Sequence, residues 1–331
     1  MASVEQRMVD SDEAGMRLDR WFKLHFPGLG FGQLQKLLRS GQIRVDGGRA
    51  KSDTRIQPGQ TIRVPPLAVD EKAVPGGPIS GRALKHGDDA DLLSKMLLYE
   101  DAKVYVLNKP AGLAVQGGSG VVRSVDSMLE AWRSTKGEKP RLVHRIDRDT
   151  SGILVVARTR GAAQALTAAF RMRDTKKTYW ALVRDVPRQR EGRISTWLVK
   201  QQTPDGDRMR VCKHGEPGAD HAVSHYRLIE QAGQALSWLE MEPYTGRTHQ
   251  LRVHAAHIGH PIIGDPKYFE ADQNWEFPGG IQKRLHLHAR RISIPHPDGS
   301  RLVVTAPLPP HMVQSWNLLG FDEAAGEENA E

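Results

Sequence analysis

The densest polar cluster in the sequence is the run from His144 to Gly152, which reads HRIDRDTSG and leads into the apolar run Ile153 to Ala157. A loop of acids and bases attached to a buried strand can hold a catalytic group in a fixed position. Asp, Thr and Ser in such a loop are also typical of turns in which they hydrogen-bond only to the local backbone. The two aspartates between three basic residues favour a chemical role for at least one carboxylate.

Three kinds of chemistry are compatible with this run. Asp147, Asp149 and Thr150 resemble the aspartyl-phosphate loop of haloacid-dehalogenase phosphatases, but basic neighbours would compete with the Mg²⁺ that such a loop binds. An aspartic protease requires a second, similar loop, which the sequence lacks. The third possibility is a single carboxylate that is oriented by an arginine and acts on a nucleobase or a sugar.

A second cluster extends from Gly246 to His254 and reads GRTHQLRVH. Together with His257 and His260 it contains four histidines, a composition that could indicate a metal site. No cysteine and no acid except Asp265 accompanies them, so we do not predict a metal site. The pattern favours a strand or loop that leads into a helix, with an arginine, Arg247 or Arg252, as the charge partner of a carboxylate.

A third cluster, Lys176 to Val183, places two lysines beside Tyr179 and Trp180. Lysines beside aromatic rings are found where a nucleobase stacks next to a phosphate contact. An ordinary strand with one aromatic side chain in the core gives the same pattern, and the residues alone do not distinguish the two.

The composition is consistent with an anionic partner. The chain has 331 residues, 47 Lys and Arg against 39 Asp and Glu, and a net charge of +8, which favours nucleic acid, an anionic membrane or another polyanion. Cys212 is the single cysteine, so a disulfide framework and cysteine-ligated metal clusters are excluded and a reducing cytoplasm is expected. Neither a signal peptide nor an apolar run long enough to cross a membrane is apparent, so no membrane association is expected.

The polar clusters are positioned by a chain that we divide into four parts. We predict a small domain over 1–66, a linker over 67–93, a larger domain over 94–312 and an acidic, disordered tail over 313–331. Strand-like and helical runs do not alternate regularly in the larger domain, which favours an α+β fold with a mixed sheet.

The small domain is predicted to contain an αα-hairpin followed by a β-hairpin. Seven basic residues and two acids lie between Gln33 and Arg63, and they cluster on a helix and the hairpin after it. Scattered basic residues usually indicate a solvated helix face, whereas this clustering favours a phosphate-binding surface. The candidate contacts are Lys36, Arg39, Arg44 and Arg49.

Taken together, the clusters resemble the ribosomal large-subunit pseudouridine synthases of the RluA/RluC type. The run His144 to Gly152 is similar to the family signature HRLDxDTSG, and Gly246 to His254 is similar to its motif GRTHQ[IL]RVH. Leu107 to Leu113, Lys177 to Tyr179 and Leu285 to Ala289 match further motifs in the same order. The first domain resembles the alpha-L RNA-binding fold that is often attached to these enzymes. The segments 201–220 and 270–283 match no motif of the family.

The resemblance implies a fold, a reaction and a role for each matching residue. The larger domain would have a mainly antiparallel sheet flanked by helices. Asp147 would be the catalytic carboxylate and Arg252 its partner, while Tyr179 would stack on the target uracil and could move the C5 proton. Arg145, with His144 beside it, would contact RNA where the flipped base had been.

The implied reaction converts uridine to pseudouridine, which requires neither a cofactor nor a metal because no electrons or groups are exchanged with another molecule. Asp147 could attack C1′ or C6, or remove the 2′ proton, and the sequence does not distinguish these steps. The expected partner is RNA, with large-subunit rRNA favoured over tRNA. Binding to DNA is not expected, and the expected form is a cytoplasmic monomer.

Overall fold

The computed structural model describes residues 4–9, 13, 15–26, 29–67, 80–117, 121–135, 137–172, 174–203, 206–269 and 279–327. The chain divides into two compact units, Met1–Ile79 and Ser80–Glu331. In the described parts of the chain, no helix has both the length and the apolar character needed to cross a membrane.

The first unit consists of two helices and a small antiparallel sheet in the order β1-β4-β2-β3. Its elements are β1 (Glu5–Met8), α1 (Leu18–His25), α2 (Phe31–Arg39), β2 (Arg44–Val45), β3 (Gly48–Arg49) and β4 (Thr61–Val64). The helices bury Leu18, Trp21 and Leu34 against Ile43 and Ile62. The helical pair and the strands β2 and β4 were therefore predicted correctly from the pattern of apolar residues, but β1 and β3 were not.

The β2–β3 hairpin depends on a tight turn at Asp46-Gly47. Both residues have positive φ, +47° and +73°, as a two-residue type I′ turn requires. The Asp46 side chain accepts a hydrogen bond from the Thr61 amide at 2.7 Å, which fixes the turn against β4. The turn sets Arg44 directly opposite Arg49, so the two side chains share one face of the sheet.

The second unit contains a sheet of eleven strands with helices on its faces. Its elements in chain order are α3 (Ser80–Lys95), β5 (Leu97–Glu100), β6 (Val104–Lys109), α4 (Val125–Met128) with a 3-10 turn (Leu129–Trp132), β7 (Arg141–Leu142), β8 (Ser151–Ala157), α5 (Arg160–Arg171), β9 (Lys176–Arg184), β10 (Glu191–Thr203), β11 (Gly206–Cys212), β12 (Asp220–Ala232), β13 (Leu236–Pro243), α6 (Gln250–His257), β14 (Leu287–Pro295), β15 (Arg301–Thr305), α7 (Pro310–Leu319) and a final 3-10 turn (Glu323–Gly326).

The main path of the sheet runs β11-β10-β12-β13-β9-β14-β8-β6-β5, with β15 beside β14 and β7 beside β8. The β14–β8 pair is parallel and the other pairs are antiparallel. The prediction of an α+β fold with a mixed, mainly antiparallel sheet is thereby confirmed.

Strand β8 begins at the end of the polar run His144 to Gly152 and is buried on both faces. Ile153 and Val155 pack towards α5, while Leu154 and Val156 pack with side chains of α3 and α4. This double burial explains the unbroken apolar run that follows the polar cluster. Gly152 has a φ of +104°, and a Cβ there would collide with the backbone of Ala289 on β14, so only glycine fits.

Two predicted boundaries need correction. Residues 80–93 of the predicted linker belong to α3 in the second unit, while 68–79 lie outside the described residues. The predicted disordered tail is ordered from 313 to 327, and 328–331 are not described.

Apolar packing and ion pairs explain the order of the tail. Gly326 is buried against Trp180 and Trp238, so tightly that a Cβ would collide with both rings. Arg290 pairs with Glu323 at 3.1 Å and with Glu327 at 2.6 Å. The acids that indicated disorder are therefore partners of a nearly buried arginine.

Candidate active site

The catalytic-loop candidate, residues 143–150, connects the end of β7 to the start of β8. Lys109, at the end of β6, holds this loop to the neighbouring 110–113 turn. Its buried Nζ donates to the carbonyl oxygens of Pro110 and Leu113 at 2.9 Å and of Arg148 at 3.0 Å. Burial lowers the pKa of Lys109 to about 7, against the opposing effect of Asp149 and Asp147. The family-like run Leu107 to Leu113 thus holds the candidate catalytic loop in place through Lys109.

Asp147 lies on this loop with its side chain one-fifth exposed, facing Arg252 on α6. The distance from Arg252 Nη1 to Asp147 Oδ2 is 3.6 Å, which makes an ion pair without a short hydrogen bond. The sequence-predicted carboxylate and arginine are therefore neighbours, although they are 105 positions apart in the chain.

Arg252 is held in place by a second carboxylate. Its Nε and Nη2 each donate to Asp265 at 2.7 Å, and both side chains are almost completely buried. This fork geometry leaves Nη1 as the group that faces Asp147. Burial acts to lower the pKa of Arg252, but the bonds to Asp265 and the charge of Asp147 outweigh it, so the pKa lies above its usual value.

His249 also faces Asp147, with 4.0 Å between its Nε2 and Asp147 Oδ2. Its other ring nitrogen, Nδ1, lies 2.8 Å from the hydroxyl of Tyr268, which accepts a hydrogen bond from the Met209 amide, also at 2.8 Å. A hydroxyl that accepts from an amide has its own proton available for Nδ1. This chain favours the tautomer of His249 that carries its proton on Nε2, facing the carboxylate.

The backbone and the charge state of His249 fit this assignment. Its φ is +53°, a left-handed conformation that non-glycine residues adopt rarely and that is frequent at functional sites. Burial lowers the pKa of His249, with Asp147 opposing, so the ring is neutral near pH 7. Gln250 fixes the preceding loop by accepting from the Arg247 amide at 3.0 Å and donating to the Val223 carbonyl at 2.9 Å.

Tyr179 enters the site from β9 and is partly buried. Burial, with the charge of Asp147 as a second cause, raises the pKa of Tyr179 above its ordinary value, so the phenol keeps its proton. The ring is therefore a neutral aromatic surface at the base of the cleft beside the carboxylate.

Asp147, Tyr179, His249 and Arg252 line one cleft of about 570 Å³, within the usual size range of small-molecule sites. Five of the sequence-predicted residues meet there, namely His144, Arg145, Asp147, Tyr179 and Arg252. Arg145 is exposed at the cleft, as a contact to an anion requires. Sequence patterns alone assigned no supporting role to Asp265, Tyr268, Lys109 or His249. Lys109 and His249 lie in family-like runs, which were the available signal for them, but the pairings are formed only by the fold.

His144, predicted to contact RNA, is held in place by contacts within the protein. Its Nε2 accepts a hydrogen bond from the Val155 amide at 2.7 Å, and its ring stacks on Phe170 with centroids 4.3 Å apart. Burial lowers the pKa of His144 to about 3, with Lys177 as a second cause. The ring lines the cleft, but its main contacts are within the protein.

The histidines of the second cluster serve separate purposes. His254 is buried and bonds Thr196 and Ser224, each at 3.0 Å, whereas His257 is exposed. His260 donates to the Arg184 carbonyl at 3.0 Å. Within the described ranges, no group of three or more His, Cys, Asp or Glu side chains is arranged to hold a metal ion.

We expect the buried histidines to make the fold sensitive to acid. Burial lowers the pKa to about 3 in His288 and about 4 in His254 and His286, whereas an unfolded histidine titrates near about 6.5. Between these values the unfolded chain binds more protons, so stability falls as the pH falls below 6.5. The free energy of unfolding, measured by urea denaturation at several pH values between 7.5 and 4.5, should depend less steeply on pH in His254→Asn than in the control His257→Asn. Equal slopes would contradict this explanation.

The candidate RNA-binding residues of the first unit are not part of the cleft. Lys36, Arg39, Arg44 and Arg49 are exposed, and Arg44 lies directly between Arg49 and Arg63 in the sheet register. Three guanidinium groups in one cross-strand row repel each other, so an anion bound over them would be stabilising. We call Arg49, Arg44 and Arg63 the arginine row.

The fold and the cleft, in which a carboxylate faces a buried arginine, match a known class of RNA-modifying enzymes. Residues 103–257 match the family model described as RNA pseudouridylate synthase. A human protein described as RNA Pseudouridylate Synthase Domain Containing 4 has a solved structure that superposes with a TM-score of 0.60. It is 27% identical and covers 73% of this chain and 98% of its own.

Curated relatives extend the likeness to almost the whole chain. Ribosomal large subunit pseudouridine synthase C of Pasteurella multocida (strain Pm70) is 37% identical, over 94% of this chain and 92% of the relative. RNA pseudouridine synthase 4, mitochondrial, of Arabidopsis thaliana is 35% identical, over 91% of this chain and 78% of the relative. The chain belongs to the RNA pseudouridine synthase family and is an isomerase of RNA.

Proposed function

We propose that this enzyme converts uridines of large-subunit ribosomal RNA to pseudouridine, with Asp147 as the catalytic carboxylate and without a metal or an organic cofactor. The observation that carries the proposal is the cleft in which Asp147 faces Arg252, itself fixed by Asp265. The rRNA substrate is inferred from the bacterial relatives, whose names specify the large ribosomal subunit.

The reaction breaks the N1–C1′ bond of uridine, turns the uracil and joins C5 to C1′. The proton on C5 is lost and N1 gains one, so the product is an isomer and no electrons are exchanged. A carboxylate is suited to this sequence because it can attack C1′ or C6, or remove the 2′ proton. Arg252 and His249 both approach Oδ2 of Asp147, so we assign the reacting position to Oδ1.

The other residues of the cleft bind and expose the nucleotide. The target uridine has to leave its stack, which costs a few kcal/mol. Tyr179 stacks on the flipped uracil, and exposed Arg145 occupies the vacancy in the RNA. Apolar side chains of the cleft, such as Phe170, Leu251 and Leu287, exclude water while the base is detached. Each of these roles is chemically compatible with the position of the side chain at the cleft.

The decisive experiment uses the full chain and an unmodified transcript of large-subunit rRNA, folded in potassium salt with EDTA. Pseudouridines are mapped by carbodiimide modification and primer extension. We expect pseudouridine at a few discrete positions and no loss of yield from the chelator. Formation of pseudouridine in tRNA but not in rRNA transcripts would contradict the proposed substrate, and no product in either RNA would contradict the proposed function.

A second prediction concerns the support of His249. Tyr268→Phe removes the hydroxyl that bonds both Met209 and His249, so the ring loses its fixed tautomer. We expect about a tenfold lower single-turnover rate, since small misplacements of catalytic groups cost up to about a hundredfold, with unchanged RNA affinity. Tyr99→Phe, which removes a hydroxyl bonded to Asp101 instead, is the control. A rate within twofold of wild type would contradict this support.

A third prediction concerns the first unit. Replacing Lys36, Arg39 and Arg44 together by glutamine should weaken RNA binding and lower the slope of log affinity against log salt by about three, because each lost phosphate contact lowers it by about one. Filter binding over a range of KCl concentrations measures the slope. Arg133→Gln removes an exposed arginine that already pairs with Glu130, and its slope should equal that of wild type. An unchanged slope in the triple variant would mean that the first unit does not contact phosphates.

A further inference from the structure

The strands β11, β10 and β12 form the outer end of the large sheet, and their two faces differ. On one face Thr196, Leu198 and Ala222 are buried next to residues of α6 such as Val253. The opposite face carries Trp197, which lies directly opposite both His221 and Cys212 in the register. Arg193 and His225 are similarly paired and are both exposed. This second face includes part of the segment 201–220, which matches no motif of the family.

Flat rings are concentrated on that second face. The ring of Trp197 lies 4.5 Å from that of His214 and 5.1 Å from that of His221. His225 stacks on Tyr244, with centroids 5.7 Å apart and planes 19° from parallel. Tyr244 is 53% exposed, and the three histidines are exposed as well. We call Trp197, His214, His221, His225 and Tyr244 the ring surface.

The ring surface is continuous with the catalytic cleft through one loop. Tyr244 belongs to the ring surface and also lines the cleft, as does Arg247. The Nε of Arg247 donates to the carbonyl oxygen of His221 at 3.2 Å. An RNA strand whose target nucleotide lies in the cleft can therefore reach this face of the sheet by passing Tyr244.

The chemistry of the ring surface suits unpaired nucleotides. Every base has a π-face that can stack on an aromatic or imidazole ring, and this stacking does not depend on the base sequence. Exposed Arg193 and Lys213 supply positive charge for phosphates, while two acids at its margin, Asp220 and Glu216, are paired with Arg247 and Arg210. The surface therefore offers stacking positions with cations beside them.

We propose that the ring surface binds a single-stranded segment of the RNA substrate next to the target uridine, by stacking of its bases on Trp197, His221 and the His225–Tyr244 pair. The proposal rests on the proposed function, since the RNA strand is the one whose uridine enters the cleft. It assigns the recognition of the RNA around the modified position to this face of β10 and β12.

The test combines crosslinking with kinetics on the full chain. A large-subunit rRNA transcript containing 4-thiouridine is irradiated with the enzyme, and the crosslinked peptides are identified by mass spectrometry. We expect peptides that contain Trp197, His221 or Tyr244. The double variant His221→Ala/His225→Ala should raise KM about tenfold, as expected for the loss of base stacking, with kcat within twofold of wild type. The exposed His257 on α6 gives the control His257→Ala, which should leave KM unchanged.

Several outcomes would overturn the proposal, and they differ from a failure of the proposed function. An unchanged KM in the double variant, or crosslinks confined to other peptides, would show that the RNA does not use the ring surface. Full affinity of the double variant for naked rRNA with loss of affinity for ribosomal precursor particles would identify a protein as the occupant. If the wild type forms no pseudouridine, the proposed function fails, while crosslinking still reports whether RNA lies on this surface.

Discussion

Replacing Asp147 by asparagine should reduce pseudouridine formation by about a thousandfold or more, with RNA affinity close to that of wild type. The amide has the shape of the carboxylate but is a poor nucleophile and a poor base, and a positioned acid–base group alone contributes about 10²–10⁴ to a rate. The side chain is partly exposed at the cleft and makes no short hydrogen bond to Arg252, so the fold should tolerate the change. Single-turnover assays and filter binding measure the two quantities.

Asp149 provides a matched control for this experiment. It lies two residues along the same loop and, like Asp147, acts on the pKa of Lys109, but it is not among the residues that line the cleft. Asp149→Asn should therefore keep most of the activity, although it removes the same charge from the same loop. Comparable losses in both variants would indicate that the net charge of the loop, rather than the Asp147 carboxylate, determines the rate.

The elements around the cleft were largely predictable because each has a local signal. The apolar run Ile153 to Ala157 forms most of the buried strand β8. The second cluster leads from a loop into α6 as expected. A strand or helix that buries one stripe of side chains reveals its period in the sequence.

The prediction of a disordered tail was wrong because it rested on acidic composition and not on a pattern of buried residues. The acids after Leu319 indicated solvent exposure, but Glu323 and Glu327 neutralise Arg290, whose guanidinium lies 4.2 Å over the ring of Trp180. Arg290 is more than one hundred positions from Trp180 in the chain. Contacts over such separations are specified by the tertiary fold, so no local window of the sequence contains them.

In the active site, the sequence likewise predicted only one of the two partners of Arg252. Motif resemblance implied that Arg252 pairs with Asp147, and the two side chains do face each other. The stronger contact of Arg252 is nevertheless the fork of two 2.7 Å bonds to Asp265. The sequence indicated Asp265 only as an acid near the histidines of the second cluster, so its importance for Arg252 was not evident before its burial and its geometry were known.

Replacing Asp265 by alanine should both destabilise the protein and impair catalysis. The change leaves the Arg252 guanidinium buried without its bidentate partner, and breaking a buried ion pair in this way costs about 3–5 kcal/mol. Arg252 should then turn towards Asp147 or towards water, which displaces the reacting carboxylate and lowers the single-turnover rate by about a hundredfold. Chemical denaturation and rate measurements well below the melting temperature check the two effects separately.

A double variant, Asp265→Leu/Arg252→Met, separates the structural role of the pair from its catalytic role. Replacing both buried charges by apolar side chains of similar size is often neutral for stability or even stabilising, so the double variant should regain most of the stability that Asp265→Ala loses. It should stay as slow as the single variant or slower, because Asp147 has lost the cation that orients it. If activity returned together with stability, Arg252 and Asp265 would be parts of the scaffold only, and the orientation of Asp147 would depend on His249 and the loop held by Lys109.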